Sequence, residues 1–229
     1  MKKILLSAVS LLLLVSCSND ETSSSTNLTT ITSGHEHHRG CASHEVLEQQ
    51  LRENPELAAK MQEIERFTQN AITNGRLVNG KIEIPVVVNV LYRTTAENIS
   101  LAQIQSQIDV LNEDFNATNA DFSKVPSTFS AVKANVGIRF VLDQVIRKST
   151  TKTSWGTNDA MKKTSGGGIA PTSPTTKLNL WVCTLSGGVL GYAQFPGGSS
   201  STDGVVILNK AFGRTGTAAA PFNKGRTGT

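Results

Sequence analysis

The chain has 229 residues, 17% of them charged and 5% aromatic, with a formal net charge of +4. That is enough for one domain plus an accessory segment. Its basic side chains are scattered and few aromatics lie between them, which argues against a nucleic-acid groove and for an ordinary solvated surface.

The charge is unevenly divided. Residues 1–80 hold 7 basic and 9 acidic side chains, a balance of −2, while residues 81–229 hold 15 and 9, a balance of +6. At the N-terminus Lys2 and Lys3 precede a compact apolar run, Ile4 to Val15. The run is shorter than the roughly 20 residues of a membrane-spanning helix and describes an export signal. It ends at Leu14-Val15-Ser16-Cys17, which resembles the lipobox of bacterial lipoproteins. The resemblance implies a diacylglyceryl group on the Cys17 thiol and cleavage just before it. Residues 1–17 are thus expected to be a lipoprotein signal peptide, and the chain an exported lipoprotein of the outer membrane or cell surface. An ordinary signal peptide with an incidental cysteine is the alternative. Residues 18–34 are polar with almost nothing to bury, which predicts a disordered tether. Asp20 and Glu21 resemble surface-export signals of some lipoproteins.

From Ser43 the pattern turns helical. Asn54-Pro55 is a good helix start, with Asn as cap and Pro tolerated in the first turn. Leu57, Met61, Ile64, Thr68 and Ala71 then recur at spacings of three and four, one apolar stripe. Asn74-Gly75 and Asn79-Gly80 mark turns. Residues 35–80 are expected to form a detachable helical segment. All four histidines, His35, His37, His38 and His44, lie near its start. A zinc site there would need ligands fixed in tetrahedral geometry, and Gly34 to Gly40 offers no scaffold, so a polar stretch with loose metal affinity is the simpler expectation. Besides Cys17 there are two cysteines, Cys41 and Cys183. An oxidising compartment favours pairing them, yet nothing in their surroundings supports that bond.

Residues 81–229 carry the strands. Ile82 to Tyr92 (IEIPVVVNVLY) is apolar on both faces except at Asn89, the mark of a central strand. Ser100 with Gln103 resembles a capping box at the start of a helix whose Leu101, Ile104, Ile108, Leu111 and Phe115 make one apolar face. Ile138 to Val145 completes a βαβ unit. Residues 147–177 are Ser, Thr, Lys and Gly rich, with one helical turn or two around Asp159 to Lys163. Gly166-Gly167-Gly168 lacks the strand and the long helix that a phosphate loop needs. Leu178 to Leu185, Leu190 to Phe195 and Gly204 to Leu208 follow as strands. Leu178, Leu180 and Val182 fall on one face of the first of these, Trp181 and Cys183 on the other. The fold class expected is α+β: a mixed, mostly parallel five-stranded sheet with a βαβ start. One crossover helix cannot cover two faces, so a further helical portion is expected and the sheet-bearing part is expected to be incomplete.

Several blocks carry a family resemblance: Arg39-Gly40-Cys41-Ala42-Ser43-His44-Glu45, IPVVVNVLY, IQSQIDVLNEDF, NLWVC (179–183), LGYAQFPGG (190–198), STDGVVI (201–207) and GRTGT (225–229). Together they are similar to the pappalysin-type (cytophagalysin-like) metzincin zinc endopeptidases. Asn89 departs from relatives that often carry His in this strand. The resemblance implies that GRTGT leads into a helix bearing H-E-x-x-H-x-x-G-x-x-H, whose histidines bind zinc and whose Glu is the general base. No His follows His44 and the sequence ends at Thr229, so the chain is expected to stop before that helix and to be inactive alone. Members of the family often bind calcium as well, through ligands expected beyond this sequence. Two roles map onto residues present. The resemblance makes Leu190 to Phe195 the antiparallel edge strand that binds extended peptide substrates, with Gly191, Tyr192, Ala193 and Gln194 as substrate-binding residues. Cys41 after Arg39-Gly40 resembles a cysteine switch, a thiolate that blocks the zinc until the segment is removed. A structural or disulfide cysteine is the alternative for Cys41. A protein of another class remains open, a non-catalytic surface lipoprotein that holds extended peptides on a strand edge.

Overall fold

The structure is a computed structural model that describes residues 40–71 and 80–229. The export signal, Cys17, the tether, His35, His37 and His38, and the turn at Asn74-Gly75 lie outside the described residues. In chain order the elements are β1 (Gly40–Cys41), α1 (Ser43–Glu53), α2 (Glu56–Ala71), β2 (Ile82–Tyr92), α3 (Leu101–Phe115), β3 (Ile138–Ser149), β4 (Leu178–Cys183), β5 (Val189–Ala193) and β6 (Val205–Leu208).

One six-stranded sheet has the order β1-β5-β6-β4-β2-β3. The expected five strands are all present, and β1 from the N-terminal segment is the sixth. β2 pairs with β3 and β4 in parallel, β4 with β6 in parallel, and β5 with β6 antiparallel. The βαβ unit β2-α3-β3 has the parallel pairing its spacing predicts. A bulge between Val86 and Val87 shifts the β2–β3 register so that Asp143 is skipped, a common device for adding twist. β2 has the bounds its apolar run predicts, because turn residues stop the run at both ends.

Alternation along the strands feeds two cores. On one face Val86, Val88, Val90, Leu180, Val182 and Ile207 meet Ile104, Ile108 and Leu111 of α3. On the other, Leu91, Trp181, Cys183, Tyr192 and Val206 meet Trp155, Met161 and Ile169. This second cover lies on the face that α3 leaves open. The Ser/Thr/Lys/Gly-rich stretch itself packs on the sheet, with a single 3-10 turn at Ala160–Lys162. Three large apolar side chains, each worth about 1.5–3 kcal/mol when fully buried, do the work of a helix. Gly166-Gly167-Gly168 is a packing turn: a Cβ on Gly168 would collide with the Met161 carbonyl oxygen. Val46 of α1 also enters this core.

The helix starts follow their expected chemistry with one difference. Asn54 Oδ1 accepts the Glu56 N–H at 3.2 Å at the head of α2. Ser100 Oγ accepts the Gln103 N–H at 3.1 Å, half of a capping box. The Gln103 side chain does not reach back, because the carbonyls of Asn209 and Phe212 hold its amide. The apolar stripe of α2 is buried only at its start. Leu57 is buried, while Ile64 is 37% and Phe67 71% exposed.

Candidate functional site

The edge that the resemblance assigns to substrate is occupied. β1 runs parallel to β5, with Gly40 opposite Val189 and Cys41 opposite Gly191. The Ala42 N–H donates to the Gly191 carbonyl at 3.0 Å, and the Ala193 N–H donates to Ser43 Oγ at 3.0 Å. The edge is therefore not free here: Ala42 and Ser43, at the entry to α1, take the Gly191 carbonyl and the Ala193 N–H. Two paired residues are too short a run for sequence periodicity to reveal, and their partner lies some 150 positions away.

Cys41, Gly191, Tyr192 and Ala193 come together around a cavity of about 560 Å³ beneath this edge, closed on its other side by Phe222, Arg226 and Thr229. Gly191 is needed for backbone approach, since a Cβ there would stand 2.7 Å from the Val206 carbonyl oxygen. Tyr192 contributes backbone only. Its ring lies in the second core and its hydroxyl donates to Asp159 Oδ1 at 2.9 Å. Burial, then the Asp159 carboxylate, push that hydroxyl well above the usual tyrosine range. Gln194, just past the end of β5, does not line this cavity. Its side chain accepts from Thr202 Oγ1 at 2.7 Å and donates to the Ser199 carbonyl at 3.0 Å, which ties the β5–β6 turn.

Behind the edge sits a buried cation that the sequence did not announce. Lys162 Nζ donates to the Thr202 carbonyl at 2.7 Å, pairs with Asp159 Oδ1 at 2.9 Å, and lies 5.1 Å from the Tyr192 ring centre. Burial lowers its pKa against the opposing pull of Asp159. Asp159 has φ +60°, a left-handed conformation that Asp and Asn tolerate better than most residues. Together these groups fix the back of β5 and the turn that follows it.

The segment 209–229, whose last part from Pro221 to Thr229 forms the far wall of the cavity, is gripped by polar side chains of α3. Gln103 Oε1 accepts the Thr217 N–H at 2.9 Å, and Ser106 Oγ accepts the Arg214 N–H at 3.0 Å. Gln107 bridges two points, accepting the Gly213 N–H at 2.7 Å and donating to the Gly225 carbonyl at 2.8 Å. Arg214 forms a two-pronged pair with Glu113, both contacts 2.8 Å, and Arg226 meets Asp114 at 3.1 Å. The Arg214 hydrogen bond holds the Glu113 carboxyl below its ordinary range and raises the guanidinium. Gln103, Ser106 and Gln107 are buried, so α3 has two buried faces, not the single apolar one that its periodicity predicts.

Cys41 is exposed with a free thiol, and Cys183 is free and buried in the second core, where burial raises its thiol far above the ordinary range. His44 pairs with Glu48 at 3.2 Å on the surface of α1. Among the described residues no three His, Cys, Asp or Glu side chains gather as a metal cage. Among the described residues that line the cavity, Cys41 is the donor whose sulfur suits zinc.

No family model and no curated protein matches the chain. Solved structures do. Mirolysin in complex with compound 9 is 44% identical with a TM-score of 0.61, covering 65% of this chain and 60% of that one. Tannerella forsythia mature mirolysin in complex with a cleaved peptide is 44% identical with a TM-score of 0.62, covering 64% and 60%. A Tannerella forsythia promirolysin mutant is 39% identical with a TM-score of 0.69, covering 82% and 66%. The chain thus spans about 60–66% of the length of the structures it matches. Sheet order and these identities make the α+β fold of this chain similar to an N-terminal region of promirolysin, which is consistent with the resemblance to pappalysin-type metzincins.

Proposed function

We propose that this chain is part of a lipid-anchored, exported zinc metalloendopeptidase precursor, in which residues 35–80 are an inhibitory prosegment and residues 81–229 belong to the catalytic domain. The observation that carries this is β1: Gly40–Cys41 lies hydrogen-bonded on the edge strand that the resemblance assigns to substrate. An extended peptide adding to that edge would need the Gly191 carbonyl and the Ala193 N–H, and both are taken. The mature mirolysin structures cover 64–65% of the chain, about the share made up by residues 81–229, and promirolysin covers 82%. That difference supports a boundary near residue 80. Mirolysin's complex with a cleaved peptide supports peptide substrates for this chain also.

In the whole enzyme zinc would polarise the scissile carbonyl and a water molecule, and calcium is proposed as a second, structural ion. The residues present here bind and orient. Gly191 and Ala193 offer backbone pairing to an extended peptide, Lys162 and Asp159 hold that strand from behind, and Cys41 would supply a sulfur donor to the metal while β1 is in place. With no His after His44, the 229 residues alone are proposed to be without hydrolytic activity.

The test is to express the coding sequence through whatever follows Thr229 and assay peptide hydrolysis with and without a zinc chelator. An H-E-x-x-H-x-x-G-x-x-H helix, and zinc-dependent cleavage that appears once residues 35–80 are removed, support the proposal. A stop codon after Thr229 with metal-independent binding of extended peptides would establish the non-catalytic lipoprotein instead.

A further inference from the structure

Ser43 stands where a strand has to become a helix without releasing the sheet. The Ala42 N–H donates to the Gly191 carbonyl at 3.0 Å, and continued parallel pairing would bring the Ala193 N–H to the Ala42 carbonyl. That carbonyl instead accepts the Val46 N–H at 3.1 Å, the first turn of α1. The Ala193 N–H is satisfied by the next residue's hydroxyl, Ser43 Oγ, at 3.0 Å. The same oxygen lies 3.1 Å from Cys41 Sγ. Because Oγ accepts from Ala193, its own proton remains available, and the Cys41 sulfur is within its reach.

We propose that Ser43 is a positioning residue of the latency switch, whose hydroxyl takes the edge-strand N–H that a substrate carbonyl would take and holds the Cys41 sulfur against the same edge. This rests on β1 being an inhibitory strand. The two events are then one: whatever breaks the Ala193–Ser43 bond also frees the thiol, and a substrate carbonyl arriving at Ala193 competes directly with the latch. Ala at position 43 leaves the Ala193 N–H unpaired beneath β1, whereas Thr keeps an acceptor and a proton in the same place.

Amide hydrogen exchange and iodoacetamide labelling of the full chain, read by mass spectrometry, test this with Ser43→Ala and Ser43→Thr. Ser43→Ala is expected to speed exchange at Ala193 and Ala42 roughly tenfold and alkylation of Cys41 about threefold, the size of one lost hydrogen bond. Ser43→Thr is expected to restore both to wild-type rates, and amides of β2 and β4 are expected to stay protected in every variant. Unchanged Ala193 exchange in Ser43→Ala, or a Ser43→Thr protein that behaves like Ser43→Ala, would show that Ser43 is no latch. If Ala42 exchanges freely in the wild type, β1 is not a seated strand, and the inhibitory-strand proposal fails together with this one.

Discussion

Two segments flank the edge strand β5, and they are held in opposite ways. Residues 40–57 attach through a two-residue strand, the Ser43 hydroxyl, and the buried Val46 and Leu57, after which α2 leaves the surface with Phe67 71% exposed. Residues 209–229 are tied at several points by buried amide and hydroxyl groups of α3 and by two arginine–carboxylate pairs. Buried hydrogen bonds are costly to leave unmade, whereas a short edge strand returns its donors and acceptors to water when it departs. The first segment is therefore held by fewer buried hydrogen bonds than the second, the asymmetry expected if residues 35–80 are the removable prosegment proposed above and the second segment is a permanent cavity wall.

The sharpest way to break this comparison is Gln107→Leu. It strips partners from the Gly213 N–H and the Gly225 carbonyl, and is expected to cost about 3 kcal/mol of stability, or roughly 6–12 °C in Tm for a domain of this size. A fall of a degree or less by calorimetry would mean that the α3 grip is dispensable. Next comes Val46→Ala. Opening a space beside Trp155, Met161 and Tyr192 is expected to weaken docking of α1 by about 1–2 kcal/mol. Limited proteolysis should then remove the N-terminal segment faster while β2 and β4 keep their exchange protection. Were the whole sheet to lose protection together, the segment would be an integral part of the core. The smallest effect is that of acid on the Glu113–Arg214 pair. The Arg214 hydrogen bond holds the folded carboxyl below the ordinary glutamate range, so its contribution is complete above that range and is lost as pH falls through the lowered folded value. Both side chains are about 40% exposed, so the loss is expected to stay within about 1 kcal/mol. It should appear as faster exchange at Gly213 and Arg214 in wild type, and no such pH step should appear in Glu113→Gln.

Legibility differed by element for physical reasons. β2 and β4 are buried on both faces, so continuous or strictly alternating apolar residues marked them and even assigned Trp181 and Cys183 to the correct face. Ser100 revealed the start of α3 because the capping group is adjacent in the chain to the amides it satisfies. The second buried face of α3 was hidden: Gln103 and Gln107 recur at helical spacing, and amides in that pattern read as a solvent face. Their partners, Asn209, Phe212, Gly213 and Gly225, are remote in sequence. The second cover was hidden in the same way, since Trp155, Met161 and Ile169 are spaced without any period inside a polar stretch. At the candidate site, Cys41, Gly191, Tyr192 and Ala193, which the resemblance named, line one cavity. That β1 occupies the edge, that Gln194 turns away from it, and that Lys162 sits behind it were not legible in the sequence.

What the amino-acid order determined by itself is local: strand bounds, helix caps, the turn residues, and the glycine that lets β5 approach β6. These follow from interactions a few residues long, where periodicity and backbone preference act directly. Which face of α3 is buried, what covers the second side of the sheet, and which residues fill the outer edge of β5 were decided only in three dimensions. Each depends on a polar or isolated apolar group finding a partner outside its own element, 12 residues away for Ile169 and Trp181 and more than a hundred for Gln103 and Ser43, and no local periodicity encodes such a partner.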